Sequence, residues 1–338
     1  MGCSCTSRCM NVNATEQSAE FNNDNTNNII KINETTDPKI IKSVIKLQSH
    51  YRGMKLREKF QLEDQFNITS QTIMVEDEEL STLLKTYPPL NDNIQVEIIT
   101  PIEYPTTDTK YFGEWDITNN IRHGRGISIW PDGSKYIGYW VKDKANIKGK
   151  LIHSDGDIYE GEWIDDMPNG KGLYLHKDGT VYVGEWKNDK RNGFGKEKWM
   201  DGAWYEGEYK NGMKHGKGKF YWKDGSYYEG NFENDNINGK GVYIFNDKRK
   251  YEGNWKNNKL DGYGIFTWPN GRKYKGNYKN DKKEGYGEFF WENGKIYKGL
   301  WKEGKQNGEG KMFFPYENVW KKGVWENGNL VNWIDEEE

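Results

Sequence analysis

The sequence of 338 residues contains very little cysteine, and all of it lies near one end. Its three cysteines are Cys3, Cys5 and Cys9, and the rest of the chain contains none. A disulfide framework is therefore excluded for the body of the protein, as is usual in a reducing compartment. Runs of about 18 or more apolar residues are also absent, and no apolar segment follows Met1. These absences exclude a membrane-spanning helix and a secretory signal peptide, so we expect a protein of the cytosolic side.

An excess of either charge is missing as well, because the net charge is -3 while 30% of the residues are charged. Such a mixed surface gives no support for nucleic-acid binding. Leu, Ile and Val are sparse in the last two-thirds of the chain, whereas 15 Trp and 22 Tyr are present. We therefore expect aromatic rings to supply most of the buried apolar area.

A pattern of Tyr-x-Gly-x-aromatic recurs every 23 residues, beginning at Tyr136, Tyr159, Tyr182, Tyr205, Tyr228, Tyr251, Tyr274 and Tyr297. A first copy begins at Tyr111, slightly more than one period before Tyr136. Repeats of fixed period form stacked arrays, in which each unit contacts its neighbours. Such a chain has few positions for a catalytic site but a long surface, so we expect a protein that is not an enzyme.

The residues within one unit predict a β-hairpin. Tyr182, Gly184 and Trp186 alternate, and so share one face of a strand, as do Phe266 and Trp268 in a second strand. Asn-Gly, Asp-Gly and His-Gly pairs have the chemistry of hairpin turns, although the turn before Tyr251 lacks such a pair. The pattern predicts an elongated, twisted, single-layer antiparallel β-meander of 23-residue hairpins. Its predicted binding face is made of the repeat aromatics, which include Tyr136, Trp140, Tyr159, Trp163, Tyr182, Trp186, Tyr251, Trp255, Tyr297 and Trp301.

These units closely resemble the MORN repeat (membrane occupation and recognition nexus), which is marked by Tyr-x-Gly-x-Trp, by Asn-Gly or His-Gly before Gly-x-Gly, and by a final Asp-Gly. The resemblance covers residues 109–334 and nine to ten repeats. It implies a membrane-associated scaffold or a part of a cortical or ciliary assembly. The aromatic face is either filled by its own rings or occupied by a partner, and since a single layer buries only one face at most, we expect a partner.

Other chemistry finds little support in the repeats. Gly-x-Gly is followed by no Lys-Ser/Thr and is framed by no strand-helix unit, so it indicates turns and not a phosphate loop. His123, His153, His176 and His215 recur at turns or strand ends, where structural roles are expected. We therefore predict no metal site and no cofactor.

The first residues match a lipidation signal. Gly2 follows a removable Met, and Thr6 completes the N-myristoylation pattern, while Cys3 and Cys5 lie where S-palmitoylation is expected. One myristoyl chain binds membranes marginally, and a second makes the anchor stable. Chance and a metal-binding cysteine cluster are the alternatives, but three thiolates without a nearby His do not complete a zinc site.

Asp37-Pro38 begins a predicted basic amphipathic helix over residues 37–66, with Asp37 as N-cap. Within it lies a segment that resembles the IQ motif, whose defining positions are filled by Leu47, Gln48, Arg52, Gly53, Arg57 and Phe60. The resemblance implies binding of calmodulin or a related EF-hand light chain. A basic amphipathic helix also fits the groove of an acidic partner. Contact with anionic lipid and packing on the repeats are the alternatives.

The chain is thus divided into an acylation signal (1–9), a disordered Asn-rich tether (10–36), the basic helix (37–66), a linker and N-terminal cap (67–108), the array (109–334) and an acidic tail (335–338). In the cap, Glu76 to Lys85 is predicted to form a short helix, and Ile94 to Ile99 an edge strand. We expect a scaffold that holds calmodulin and cytoskeletal or membrane partners at the cytoplasmic face of a plasma, cortical or ciliary membrane. The alternatives are a structural subunit of an axonemal assembly such as a radial spoke, and direct binding of acidic phospholipid by the repeats.

Overall fold

The computed structural model describes residues 76–104 and 108–334. This part contains one helix, α1 (Glu76–Thr86), and 21 strands. The strands are β1 (Val96–Tyr104), β2 (Thr109–Asp116), β3 (Ile121–Ile129), β4 (Lys135–Val141), β5 (Lys144–Ile152), β6 (Ile158–Ile164), β7 (Met167–Leu175), β8 (Val181–Lys187), β9 (Lys190–Lys198), β10 (Trp204–Lys210), β11 (Met213–Tyr221), β12 (Tyr227–Glu233), β13 (Asn236–Ile244), β14 (Lys250–Lys256), β15 (Lys259–Thr267), β16 (Lys273–Lys279), β17 (Lys282–Phe290), β18 (Ile296–Lys302), β19 (Lys305–Phe314), β20 (Val319–Glu326) and β21 (Asn329–Ile334).

All 21 strands belong to one open antiparallel sheet, in which each strand pairs with the next along the chain. A hairpin consists of a first strand with Tyr-x-Gly-x-aromatic and a second strand with Gly-x-Gly. Paired glycines lie opposite each other, for example Gly184 and Gly195. The predicted single-layer β-meander of hairpins is therefore confirmed.

The hairpins from β4–β5 to β20–β21 close through two-residue turns in which both residues have positive φ. Asn188 and Asp189, for example, have φ of 48° and 62°. Positive φ at both central residues defines the type I′ turn, whose twist matches that of the flanking strands. Asn and Asp adopt this conformation more readily than most residues, which explains their frequency at these positions.

Successive hairpins are joined by longer turns that use the predicted Asp-Gly pairs, or Asn-Gly in two of the later repeats. At Asp224-Gly225, the Trp222 carbonyl accepts a hydrogen bond from Gly225 N at 3.0 Å, and the Asp224 carboxylate accepts one from Ser226 N at 2.9 Å. Gly225 has a φ of 85°. The turn before Tyr251 has the same fold without glycine, so Lys248 takes a φ of 70° there.

The Asn-Gly and His-Gly pairs that begin the Gly-x-Gly segments are not turns, so this part of the sequence prediction was wrong. Gly193 and Gly216 lie inside β9 and β11, with φ of 88° and 62°, beside a shift in strand register. A carboxylate from the first strand stabilises this bulge, since Lys217 N donates to Glu208 Oε1 at 2.9 Å. The pairs therefore mark bulges, which increase the local twist of a strand.

The N-terminal cap covers the start of the sheet. β1 pairs with β2, so the predicted edge strand is present, and it begins two residues later than expected. The predicted helix is present as α1, whose Leu83 is buried against Phe112 and Ile127. Because Phe112 follows Tyr111 in β2, α1 packs on the face opposite the repeat aromatics.

Candidate binding surfaces of the repeat array

The centre of one face is a ladder of nine tyrosines, one from the first strand of each repeat. Each is at most 3% exposed, and each hydroxyl donates to the carbonyl three residues later, as Tyr205 does to Glu208 at 2.9 Å. The ladder consists of Tyr111, Tyr136, Tyr159, Tyr182, Tyr205, Tyr228, Tyr251, Tyr274 and Tyr297. Burial raises the pKa of Tyr297 to about 12, and raises the pKa of the ladder tyrosines from Tyr136 to Tyr274 above the usual value.

Paired glycines make room for each ladder ring. A Cβ atom placed on Gly218 would lie 2.5 Å from Tyr205 Oη and 2.6 Å from its Cε2. A Cβ atom on Gly207, in the neighbouring strand, would also lie 2.5 Å from that hydroxyl. The tyrosine ring therefore lies flat across two strands, and only glycine fits beneath it.

A second column, four residues after each tyrosine, connects the ladder between repeats. The Trp163 ring, for instance, contacts Tyr159 of its own repeat at 5.2 Å and Tyr136 of the preceding one at 5.1 Å. Contacts with the preceding repeat continue to Trp325 with centroid distances of 4.9–5.8 Å, all edge to face. Edge-to-face pairs are favourable beyond the area that they bury, and the variants Tyr209, Phe232 and Tyr278 preserve them.

The predicted binding aromatics all lie in these two columns. Tyr136, Trp140, Tyr159, Trp163, Tyr182, Tyr251, Trp255, Tyr297 and Trp301 are buried, and Trp186 is half-buried. Their rings cover one another, so this part of the aromatic face is filled by its own side chains. A partner would therefore meet the outer edge of these columns and not the ring faces.

A separate row of rings remains accessible at the end of the second strands. We call Trp199, Trp222, Phe245, Trp268 and Trp291 the outer aromatic row. They are half-buried and alternate with more deeply placed rings such as Phe220 and Phe266. Trp268 lies on the aromatic face, as its spacing predicts, but the second row was not predicted from the sequence. The signal was available, because these residues recur every 23 residues just before the longer turns.

Four cations also lie over the rings of this face, and Lys214 and Lys283 reach to 5.0 and 5.8 Å from Trp199 and Trp268 of the outer aromatic row. Arg122, Arg191, Lys214 and Lys283 occupy equivalent positions at the start of the second strands. Arg122 lies 3.8 Å from the Trp140 ring and 2.5 Å from Asp143, so cation–π and ionic contacts act together. Arg191 pairs with Glu197 at 2.5 Å. Burial lowers the pKa of Arg191, but the charge of Glu197, the hydrogen bond to it and the neighbouring Tyr209 and Tyr182 together raise that pKa above its usual value. This cation column was not predicted from the sequence.

The cap is held to the first repeats by polar contacts that were likewise not predicted from the sequence. Arg125 donates to the carbonyls of Leu84 and Tyr87 at 3.1 and 3.0 Å. His123 Nε2 lies 2.7 Å from Asp92 Oδ2, and this hydrogen bond lowers the pKa of Asp92. His123 is 1% exposed, and its contact with Asp92 joins the cap to the first repeat.

Charge changes sign along the described residues. Residues 76–181 contain 11 Lys and Arg against 19 Asp and Glu, whereas residues 251–334 contain 15 against 10. The near-neutral total therefore conceals an acidic first part and a basic last part. Long-range steering depends on such local fields more than on the net charge.

The remaining predicted sites lie outside the described residues. These are the lipidation residues Gly2, Cys3 and Cys5 and the motif residues Leu47, Gln48, Arg52, Gly53, Arg57 and Phe60. Within residues 76–104 and 108–334, no helix has the length and apolar content needed to cross a membrane. The same ranges contain no group of three or more His, Cys, Asp or Glu side chains arranged to hold a metal ion.

The periodic hairpins define a β-repeat protein, and its family follows from comparison with known repeats. The model of the MORN repeat matches nine segments, namely residues 111–135, 136–158, 159–181, 182–204, 205–227, 228–248, 251–271, 274–296 and 297–315. These segments cover more than half of the chain, which therefore belongs to the MORN-repeat family. The β20–β21 hairpin extends the sheet beyond the last match. The model of the IQ calmodulin-binding motif matches residues 41–61, so both recognised sequence elements are of binding-module types.

Comparison with the sequences of curated proteins gives no match. Among solved structures, the chain is similar to the TCP10 domain of Danio rerio CPAP in complex with a STIL peptide, with 10% identity, a TM-score of 0.37, and coverage of 63% of this chain and 95% of that one. It is also similar to the SAS-4 (dCPAP) TCP domain of Drosophila melanogaster, with 14% identity, a TM-score of 0.27, and coverage of 57% and 96%. A Staphylococcus aureus virginiamycin B lyase has 13% identity, a TM-score of 0.14, and coverage of 71% and 85%.

Proposed function

We propose that this protein is a non-enzymatic scaffold that binds calmodulin or a related EF-hand protein and docks cytoskeletal or membrane partners along its repeats. The observation that carries the proposal is the division of the aromatic face. The ladder is filled by its own rings, while the outer aromatic row is only half-buried. A long surface with accessible aromatic side chains is typical of interaction sites. The IQ match lies outside the array and supports a separate site for calmodulin.

We further propose that the scaffold acts at the cytoplasmic face of a plasma, cortical or ciliary membrane. This part rests on the expected myristoylation of Gly2 and palmitoylation of Cys3 and Cys5. Two acyl chains are needed, because one gives only reversible binding. The basic helix would then lie near anionic lipid, where calmodulin and the membrane compete for the same cations.

Calmodulin binding is tested on the full chain by calorimetric titration with calcium and with a chelator. The variant Arg52→Glu/Arg57→Glu reverses two charges inside the motif, and Lys39→Glu/Lys42→Glu reverses two charges outside its defining positions. We expect the first variant to lose at least about tenfold in affinity, as when charged contacts are removed, and the second to lose much less. Equal losses would show general charge attraction, and an inert wild-type chain in both buffers would contradict the proposal.

The membrane part is tested by imaging the C-terminally tagged protein beside its Gly2→Ala variant in its own cells. Release of the variant into the cytosol supports the anchor. If both proteins stay on a detergent-resistant axoneme, the alternative of a ciliary structural subunit is favoured. If the unacylated chain binds phosphatidylserine vesicles through its repeats, the third function, recognition of acidic phospholipid, replaces the acyl anchor.

A further inference from the structure

Three of the four residues of the cation column are neutralised by carboxylates of the array. Arg122 pairs with Asp143 in the turn that closes the next hairpin, and Arg191 pairs with Glu197 on its own strand. Lys214 has two partners at 3.9 and 3.8 Å, namely Glu197 on the second strand of the preceding repeat and Asp235 in the turn of the next hairpin. The repeat therefore offers three positions from which a carboxylate reaches this column.

Lys283 is the exception, because none of the three equivalent positions holds a carboxylate. Phe289 lies on the strand of Lys283, where the Arg191 repeat has Glu197. Phe266 lies on the second strand of the preceding repeat, and Gly304 lies in the turn of the next hairpin, where Lys214 has Glu197 and Asp235. Within residues 76–104 and 108–334, no carboxylate oxygen lies within 4.0 Å of the Lys283 ammonium. The ammonium is instead surrounded by four rings, with centroids of Trp301, Phe289, Tyr274 and Trp268 at 4.6, 4.7, 5.1 and 5.8 Å.

A second cation near Lys283 also has no carboxylate partner among the residues that the structure describes. Arg272 lies over the Trp268 ring at 5.6 Å, and its Nε donates to the neutral amide of Asn270 at 3.2 Å. One repeat earlier, the equivalent Arg249 pairs with the Asp247 carboxylate at 2.6 Å. Burial, together with repulsion from Arg272, lowers the pKa of Lys283 to about 8. The site therefore holds positive charge that the array does not compensate.

We propose that Lys283 and Arg272 form a recognition site for a carboxylate side chain of an acidic protein segment. The carboxylates at Asp143, Glu197 and Asp235 show what this position of the fold accepts. The partner therefore supplies the group that is missing in the repeats that begin at Tyr251 and Tyr274. Apolar side chains beside that carboxylate pack on Trp268 and Trp291 of the outer aromatic row, which are half-buried. The excess of cations over residues 251–334 attracts such a segment. This proposal rests on the scaffold function and names the partner chemistry for one part of its surface.

The probe is the fluorescein-labelled peptide Glu-Leu-Glu-Leu-Glu, compared with its Gln-Leu-Gln-Leu-Gln counterpart by fluorescence anisotropy on the full chain. We expect only the acidic peptide to bind, and Lys283→Met to weaken it about tenfold, as for loss of one charge-assisted contact. Phe289→Glu places a carboxylate where Glu197 lies in the Arg191 repeat, so it should compete with the probe and weaken binding similarly. The control Lys298→Met removes one cation from the opposite face, where it pairs with Glu288 at 3.1 Å, and should leave affinity unchanged.

The pH dependence adds a test that a merely structural lysine would fail. Wild-type affinity should fall as pH rises from 7 to 9, since the Lys283 ammonium loses its proton near pH 8. Lys283→Arg should keep the affinity and remove this fall, because a guanidinium stays charged. Circular dichroism confirms that each variant is folded.

Wild-type affinity in both Lys283→Met and Phe289→Glu would overturn the proposal, as would equal binding of the glutamine peptide. A different ligand would also overturn the proposal. In that case the acidic peptide fails to bind, whereas inorganic phosphate or phosphoinositide vesicles bind to the wild-type chain and not to Lys283→Met, which would indicate phosphate recognition. Calmodulin titration of the same proteins separates this result from the scaffold function. Retained calmodulin binding with lost peptide binding supports a distinct carboxylate site.

Discussion

Replacement of Gly218 by alanine tests whether the glycine pairs exist to hold the tyrosine ladder. The new Cβ would lie 2.5–2.7 Å from Oη, Cε2 and Cζ of Tyr205, whereas carbon atoms prefer about 3.5–4.0 Å. Tyr205 is 0% exposed and its ring contacts Tyr209 and Phe232 at 5.2 Å, so it has no free space to move into. The shift of about 1 Å that would restore normal spacing strains the hydroxyl contact with Glu208 as well. We expect Gly218→Ala to lower the free energy of unfolding by about 3 kcal/mol, which is at the upper end for overpacked cores.

Gly225→Ala is the matched control, because its Cβ would meet nothing within 4 Å and only its φ of 85° is unfavourable. The cost of a left-handed alanine is about 1 kcal/mol. Urea unfolding by tryptophan fluorescence compares the two variants, and hydrogen exchange locates the loss to β10–β13, since repeat arrays do not unfold as one unit. In a double-mutant cycle, Tyr205→Leu should relieve part of the Gly218→Ala cost. Equal losses for both alanine variants, or no coupling, would refute the ladder argument.

Three further predictions concern stability. Lys248→Gly should raise the free energy of unfolding by about 1 kcal/mol, because glycine removes the strain at φ 70°; a fall in the thermal midpoint would contradict this. Burial raises the pKa of Tyr297 and other ladder tyrosines, so the fold should be stable below about pH 10 and lose stability as the pH rises further. In an alkaline titration, the loss of the circular dichroism signal and the rise of phenolate absorbance should therefore occur together. The pKa of Lys283 is lowered to about 8, so its charge destabilises the fold below that pH and less so towards pH 10. Lys283→Met should therefore raise the thermal midpoint at pH 7. An unchanged midpoint would disprove an uncompensated charge.

The meander was predictable because the pattern is local and repeated. Tyr182, Gly184 and Trp186 alternate along one strand, and the same spacing recurs in the next hairpins, so face and period agree. The position of the turns was less predictable. Asn192-Gly193 and Asn188-Asp189 both favour positive φ, and only the pairing of Trp186 with Arg191 shows which of them closes the hairpin.

The isolation of Lys283 was not predictable, because it depends on contacts between residues that are distant in sequence. Whether a carboxylate reaches it depends on one position of its own strand, one of the preceding second strand and one of the next hairpin turn. Only the strand register brings these three positions to the same cation. The packing of Arg125 on the helix α1 is likewise set by tertiary contact. The family match confirms the IQ motif at residues 41–61, whereas the roles of its single residues and the lipidation of the first residues remain predictions.

The ladder has a consequence for how the gene can change. Each ladder tyrosine meets rings of its own hairpin and of the next, so every junction uses the same contacts. Deletion of residues 182–204 would bring Tyr209 against Tyr159, in the position that Trp186 now holds. An in-frame duplication or loss of one unit therefore lengthens or shortens the protein without requiring a new interface. Selection can adjust the spacing between the cap and the last hairpin in whole steps, independently of the residues that bind partners.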